Sequence, residues 1–155
     1  MLKNKHVVVA MLVAPVLAIM AWFAIDYFVA ERPHAARPGA TYALTAKSNC
    51  RYDSGQCDLQ NGDFELSLRP VDVTAETVSV ELRSRFPLQQ ATLGYIDGHP
   101  DALPTEMEST EPGATLWSAA LALPSSDAST IGVAVMAQGA TYYAEIPAVF
   151  LNAGR

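Results

Sequence analysis

NGDFELSL, residues 61–68, decides the fold class. Asn61-Gly62-Asp63 is a turn signal, and behind it Phe64, Leu66 and Leu68 alternate with Glu65 and Ser67. Side chains of a strand point to opposite faces in turn, so this pattern makes one apolar and one polar face. The same period returns downstream, where Val78, Val80 and Leu82 alternate with Ser79, Glu81 and Arg83. Further strands are expected over residues 42–47, 91–96, 116–123, 131–137 and 141–149, about seven in all. Between them lie Asp97-Gly98-His99-Pro100, Glu111-Pro112-Gly113, Pro124-Ser125-Ser126-Asp127 and Gln138-Gly139, all turn-forming combinations. Short strands at this spacing, with no long amphipathic helix among them, predict an all-β, immunoglobulin-like β-sandwich. Phe64, Phe86, Tyr95, Trp117 and Tyr142 are expected in its core or at its rim. In the pair Tyr142-Tyr143, one ring is expected inside and one outside.

Toward the N-terminus the composition changes. Val7 to Ile25 are nineteen consecutive residues without a charge, and the apolar run resumes after Asp26 as far as Ala30. A bilayer core of about 30 Å needs about 20 helical residues, so residues 7–30 are read as one transmembrane helix. A cleaved signal peptide fits less well. Its apolar region would be shorter, and a cut after Ala30 would leave bulky Phe28 where a small residue is needed. Residues 1–6 then form a cytoplasmic N-terminus, 31–40 an extended tether rich in Pro and Gly, and 41–155 the β domain. Within the span, Ala10, Ala14, Ala18 and Ala21 fall on one helical stripe, a candidate face for helix–helix packing. Trp22, Phe23, Tyr27 and Phe28 form an aromatic belt at its outer end.

Charge and cysteines narrow the function classes. Residues 31–155 carry eight Lys and Arg against fifteen Asp and Glu, a balance of −7. Nucleic acid demands clustered cations and is excluded as a partner. Arg83 and Arg85 do share one face of a strand, a small positive feature on an acidic domain. Lys3 and Lys5 before the span nearly balance Arg32, Arg37 and Lys47 after it, so basic residues alone do not orient the chain. The only cysteines, Cys50 and Cys57, enclose a short loop containing Gly55, with no third Cys or adjacent His to complete a metal site. A disulfide in an oxidising compartment is expected, which puts the domain outside the cytoplasm.

No catalytic pattern stands out. Beyond the span the histidines are His34 and His99, and neither lies near a G-x-S-x-G nucleophile motif. An enzyme is not expected, nor a cofactor. The nearest metal candidates are His99 and Asp97 in their turn, joined by the thioether of Met107. Asp53 to Asp63 is acidic but lacks the alternating ligands of a calcium loop.

The layout, with NGDFELSL, the late GATLWSAALALP (113–124) and the final AQGATYYAEIPAVF (137–150), resembles the FixH family. These are small inner-membrane proteins with one N-terminal span and a periplasmic β-sandwich. The resemblance implies a non-enzymatic accessory role, assisting assembly or stability of a membrane complex such as a respiratory oxidase. The alternative is a periplasmic metal- or small-ligand-binding domain. Expected partners are the bilayer and a larger integral membrane complex.

Overall fold

The computed structural model describes residues 4–29, 36–96, 103–126 and 128–153. The chain divides into two units, Met1–Pro33 and His34–Arg155. The turn bearing Asp97 and His99, and residues 31–35 of the expected tether, lie outside the described residues.

The first unit is one helix, α1, Lys5–Val29. Its segment Lys5–Ile25 has a mean hydropathy of 2.6 and is long and apolar enough to cross a membrane. Pro15 sits inside it without breaking it, at the loss of the one hydrogen bond its missing N–H would have made. Trp22, Phe23 and Tyr27 are exposed. Ala10, Ala14, Ala18 and Ala21 share one side of the continuous helix, also exposed.

The second unit is mostly β. Its strands are β1 (Thr41–Ala43), β2 (Thr45–Ala46), β3 (Cys57–Asn61), β4 (Phe64–Val73), β5 (Thr77–Ser84), β6 (Gln90–Tyr95), β7 (Thr105–Glu106), β8 (Glu108–Ser109), β9 (Leu116–Ala122), β10 (Thr130–Ala137) and β11 (Ala140–Pro147). They form two sheets. Sheet A has the order β1-β11-β10-β6-β7, and sheet B the order β2-β3-β4-β5-β9-β8. Neighbours pair antiparallel except β1, which lies parallel to β11. Hydrogen bonding to the domain starts before Thr41: the Gly39 N–H donates to the Gly139 carbonyl at 2.8 Å, and the Thr141 N–H to Ala40 at 2.9 Å.

The period-two residues point where the pattern requires. Phe64, Leu66 and Leu68 of β4 and Val78, Val80 and Leu82 of β5 are buried. They share one core with Leu93, Ile131, Val133, Val135 and Ile146 of sheet A. Phe150, in the 3-10 turn Ala148–Asn152, is wholly buried and plugs this core after the last strand. Tyr142 stacks on Phe64 with ring centroids 3.9 Å apart, while Tyr143 is 46% exposed. Trp117 is buried and its indole N–H donates to the Ala114 carbonyl at 2.9 Å.

Three differences from the sequence reading have physical causes. The strand expected over 42–47 is split at Leu44, which is buried where the chain leaves β11 and joins β3. The Leu44 N–H still donates to Tyr143 of β11 at 2.8 Å. A second switch occurs at Met107, 2% exposed, between β7 on sheet A and β8 on sheet B. Each lateral edge is thus closed by a segment shared between sheets, which shortens the strand edges left open for pairing. Strand β3 leaves no clear period in the sequence, because only Cys57 and Leu59 mark its inward side. Finally, β4 runs on to Val73 through a register shift between Pro70 and Asp72. Pro70 has no N–H to donate, and a bulge accommodates it.

Candidate binding surfaces

Cys50 and Cys57 form a disulfide, both sulfurs wholly buried, which clamps the 3-10 turn Ser48–Arg51 to β3. Met107 is spent on the core, so its thioether is closed to solvent. Its N–H donates to Ala91 at 2.9 Å. The structure therefore gives Met107 a packing role, and its proposed partners Asp97 and His99 lie outside the described residues. Among the described residues, no group of three His, Cys, Asp or Glu is placed to hold a metal ion.

The outer face of sheet A carries a trough of about 430 Å³. Its floor follows from register. Gly94 of β6 is paired with Gly132 of β10, and Ala134 lies between Thr92 and Tyr143. Missing side chains at the two glycines let Pro104 and Ile96 lie against the sheet. A Cβ on Gly94 would come 3.0 Å from the Pro104 Cα, and one on Gly132 would come 2.9 Å from the Ile96 Cδ1. Ile96 and Tyr143 line the trough and remain about half exposed, at 47% and 46%. Glu145 is the one charged residue in β6, β10 and β11.

The outer face of sheet B is its opposite in chemistry. There Ser67 lies between Asp58 on β3 and Arg83 on β5. This small side chain floors an open cleft of about 390 Å³, lined also by Lys47, Glu65 and Arg85. The Asp58 carboxylate accepts from Asn49 Nδ2 and from Gln56 Nε2, both at 2.8 Å. Partial burial pushes this carboxyl up, but hydrogen bonds from Gln56, Ser67 and Asn49, with the Lys47 charge, outweigh it and hold it below its ordinary value. Farther along the sheet, Arg69 pairs with Glu81 at 2.6 Å, and Arg83 lies 3.9 Å from the same carboxylate oxygen. Lys47 reaches this cleft from outside the strands, a placement that no periodicity in the sequence announces.

No family model matches the chain, and no curated protein matches it. Among solved structures, the chain is similar to one titled "Crystal structure of Br derivative BhCBM56". The two are 13% identical, the match covers 57% of this chain and 92% of that one, and the TM-score is 0.40.

Proposed function

We propose that this is a single-span inner-membrane protein whose two-sheet domain lies in the periplasm and docks, without catalysis, on a larger membrane complex. The observation that carries this reading is the outer face of sheet A. A trough with Glu145 as its one charged lining residue, bordered by half-exposed Ile96 and Tyr143, makes this the more apolar of the two outer faces, and exposed apolar surface favours a partner. Its occupant is a mainly apolar protein surface, since a charge seated on the Gly94, Gly132 and Ala134 floor would lose water, and Glu145 at the side offers a counter-ion to a cation alone. The Cys50–Cys57 disulfide supports an oxidising compartment for the domain, with the N-terminus in the cytoplasm. Strand crossings from β5 to β6 and from β9 to β10, which pass between the sheets, support a sandwich of immunoglobulin-like character. The layout shared with FixH-type proteins makes a respiratory oxidase the first complex to look for.

Affinity purification of the full-length protein from native membranes in mild detergent tests this reading. A stoichiometric membrane complex is expected with the natural chain and is expected to be lost with Ala134→Lys, which puts a cation on the trough floor. Recovery of the natural chain alone under several mild conditions would contradict the proposal.

A further inference from the structure

The cleft on sheet B stands apart from the docking face and does not depend on that reading. Although residues 31–155 balance at −7, three of their eight basic side chains, Lys47, Arg83 and Arg85, line this one cleft. They arrive from separate places: Lys47 follows β2, Arg83 ends the outward row of β5, and Arg85 follows that strand. Of the acids nearby, Glu65 lines the cleft with no ion pair among the described residues, while two others are engaged. Asp58 accepts from Asn49 and Gln56, and Glu81 is taken by Arg69 at 2.6 Å. Among the described residues, no carboxylate lies within 4.0 Å of the charged nitrogens of Lys47 or Arg85. Arg83 has only the long 3.9 Å contact to Glu81.

We propose that this cleft binds a single carboxylate group, held by Arg83 and Arg85 with Lys47 beside it. Three cations against the two lining acids, Asp58 and Glu65, leave one net positive charge, which matches a singly charged carboxylate better than a dianionic phosphate. The planar arginine fork pairs with a carboxylate through two parallel N–H···O bonds. Affinity is weak, because both arginines keep contact with water. The carboxylate belongs either to a small organic acid or to the free end of a peptide, and the chemistry at the arginines is the same.

Titration of the ¹⁵N-labelled full-length chain in detergent micelles tests this. Sodium acetate is expected to shift the Ser67, Arg83 and Arg85 amides saturably, and sodium chloride at matched ionic strength is not. Trialanine with a free C-terminus is expected to do the same, and its C-terminal amide is not. Tighter binding of free-acid trialanine than of acetate would assign the site to a peptide end, and equal binding to a small acid. Arg85→Gln is expected to weaken acetate about tenfold, with Arg85→Lys partly restoring it. Lys47→Gln gives a second variant away from the strands, and unchanged β10 and β11 amides verify the fold in each. Shifts that never saturate, that chloride reproduces, or that survive both glutamine variants would overturn the proposal.

Discussion

The two outer faces of the domain rest on the same core and the same strand geometry, yet they are built from opposite chemistry. On sheet B the outward positions carry Asp58, Glu65, Arg69, Glu81 and Arg83, all but Glu65 tied by hydrogen bonds or ion pairs, and a disulfide-clamped turn borders them. On sheet A the corresponding positions are Thr92, Gly94, Gly132, Ala134 and Tyr143, with Glu145 the only charge on the three long strands. A face meant only for water has no reason to lose its charges and then its side chains. The contrast teaches that outward polarity is not an automatic consequence of a two-sheet fold. It is set face by face, and the face that departs from it is the one to suspect of contact.

Breaking the disulfide should separate the faces most strongly. Closing the short 50–57 loop contributes about 2.5 kcal/mol on the chain-entropy model. The double variant Cys50→Ala/Cys57→Ala should lose about that in chemical denaturation. Hydrogen exchange should then speed up over residues 47–61 of sheet B and its border, and stay slow over 130–147 of sheet A. Equal loss on both sheets would mean that the disulfide holds the whole fold rather than one face.

A smaller difference is expected at the two floors. Gly94→Ala drives a methyl into the Pro104 backbone at 3.0 Å, and overpacking of this kind costs about 1–3 kcal/mol. Ser67→Ala on the other floor removes a part-exposed hydrogen bond to Asp58 and should cost about 0.5–1.5 kcal/mol. Thermal denaturation of the pair compares them directly. Gly132→Ala should fall between, because it meets the movable end of Ile96 rather than backbone.

The ion pairs of sheet B should matter least to stability. Arg69→Gln removes the Arg69–Glu81 pair, whose arginine side chain is 50% exposed, and should cost about 0.2–1 kcal/mol, less at high salt. Recovery of any partner held on sheet A should be unaffected. A still subtler signal comes from Asp58. Its folded carboxyl titrates below the usual 3.8, so its contribution is fully present above that pH and is lost as pH falls through the lower folded value. The stability gap between the natural chain and Asp58→Asn should therefore be flat above 3.8 and close below it, measured by denaturation across acidic pH.

How much of this was legible beforehand varies by element. Long strands with three alternating apolar residues, such as Phe64 to Leu68 and Val78 to Leu82, announce themselves because each buries one whole face. The apolar helix and the cysteine pair are equally plain, since length and spacing alone define them. Two-residue strands such as β7 and β8 have no period to detect, and they exist because Met107 must be buried between the sheets. That burial also removes Met107 from any surface site with Asp97 and His99. Neither candidate surface was visible as a unit. The trough depends on Gly94 facing Gly132 across a strand pair, and the cleft on Lys47 meeting Arg83 and Arg85 from a distant segment. Register creates both, and register is a property of pairing rather than of any single stretch.

Site-specific photo-crosslinking in native membranes tests the central claim most directly. A benzophenone amino acid is placed at Tyr143 on the trough of sheet A in one variant, and at Ser79 on the outer face of sheet B in another. Crosslinks from position 143 to one membrane protein, with none from position 79, are the predicted result. Crosslinks from position 79 alone, or from neither position, would contradict docking through sheet A.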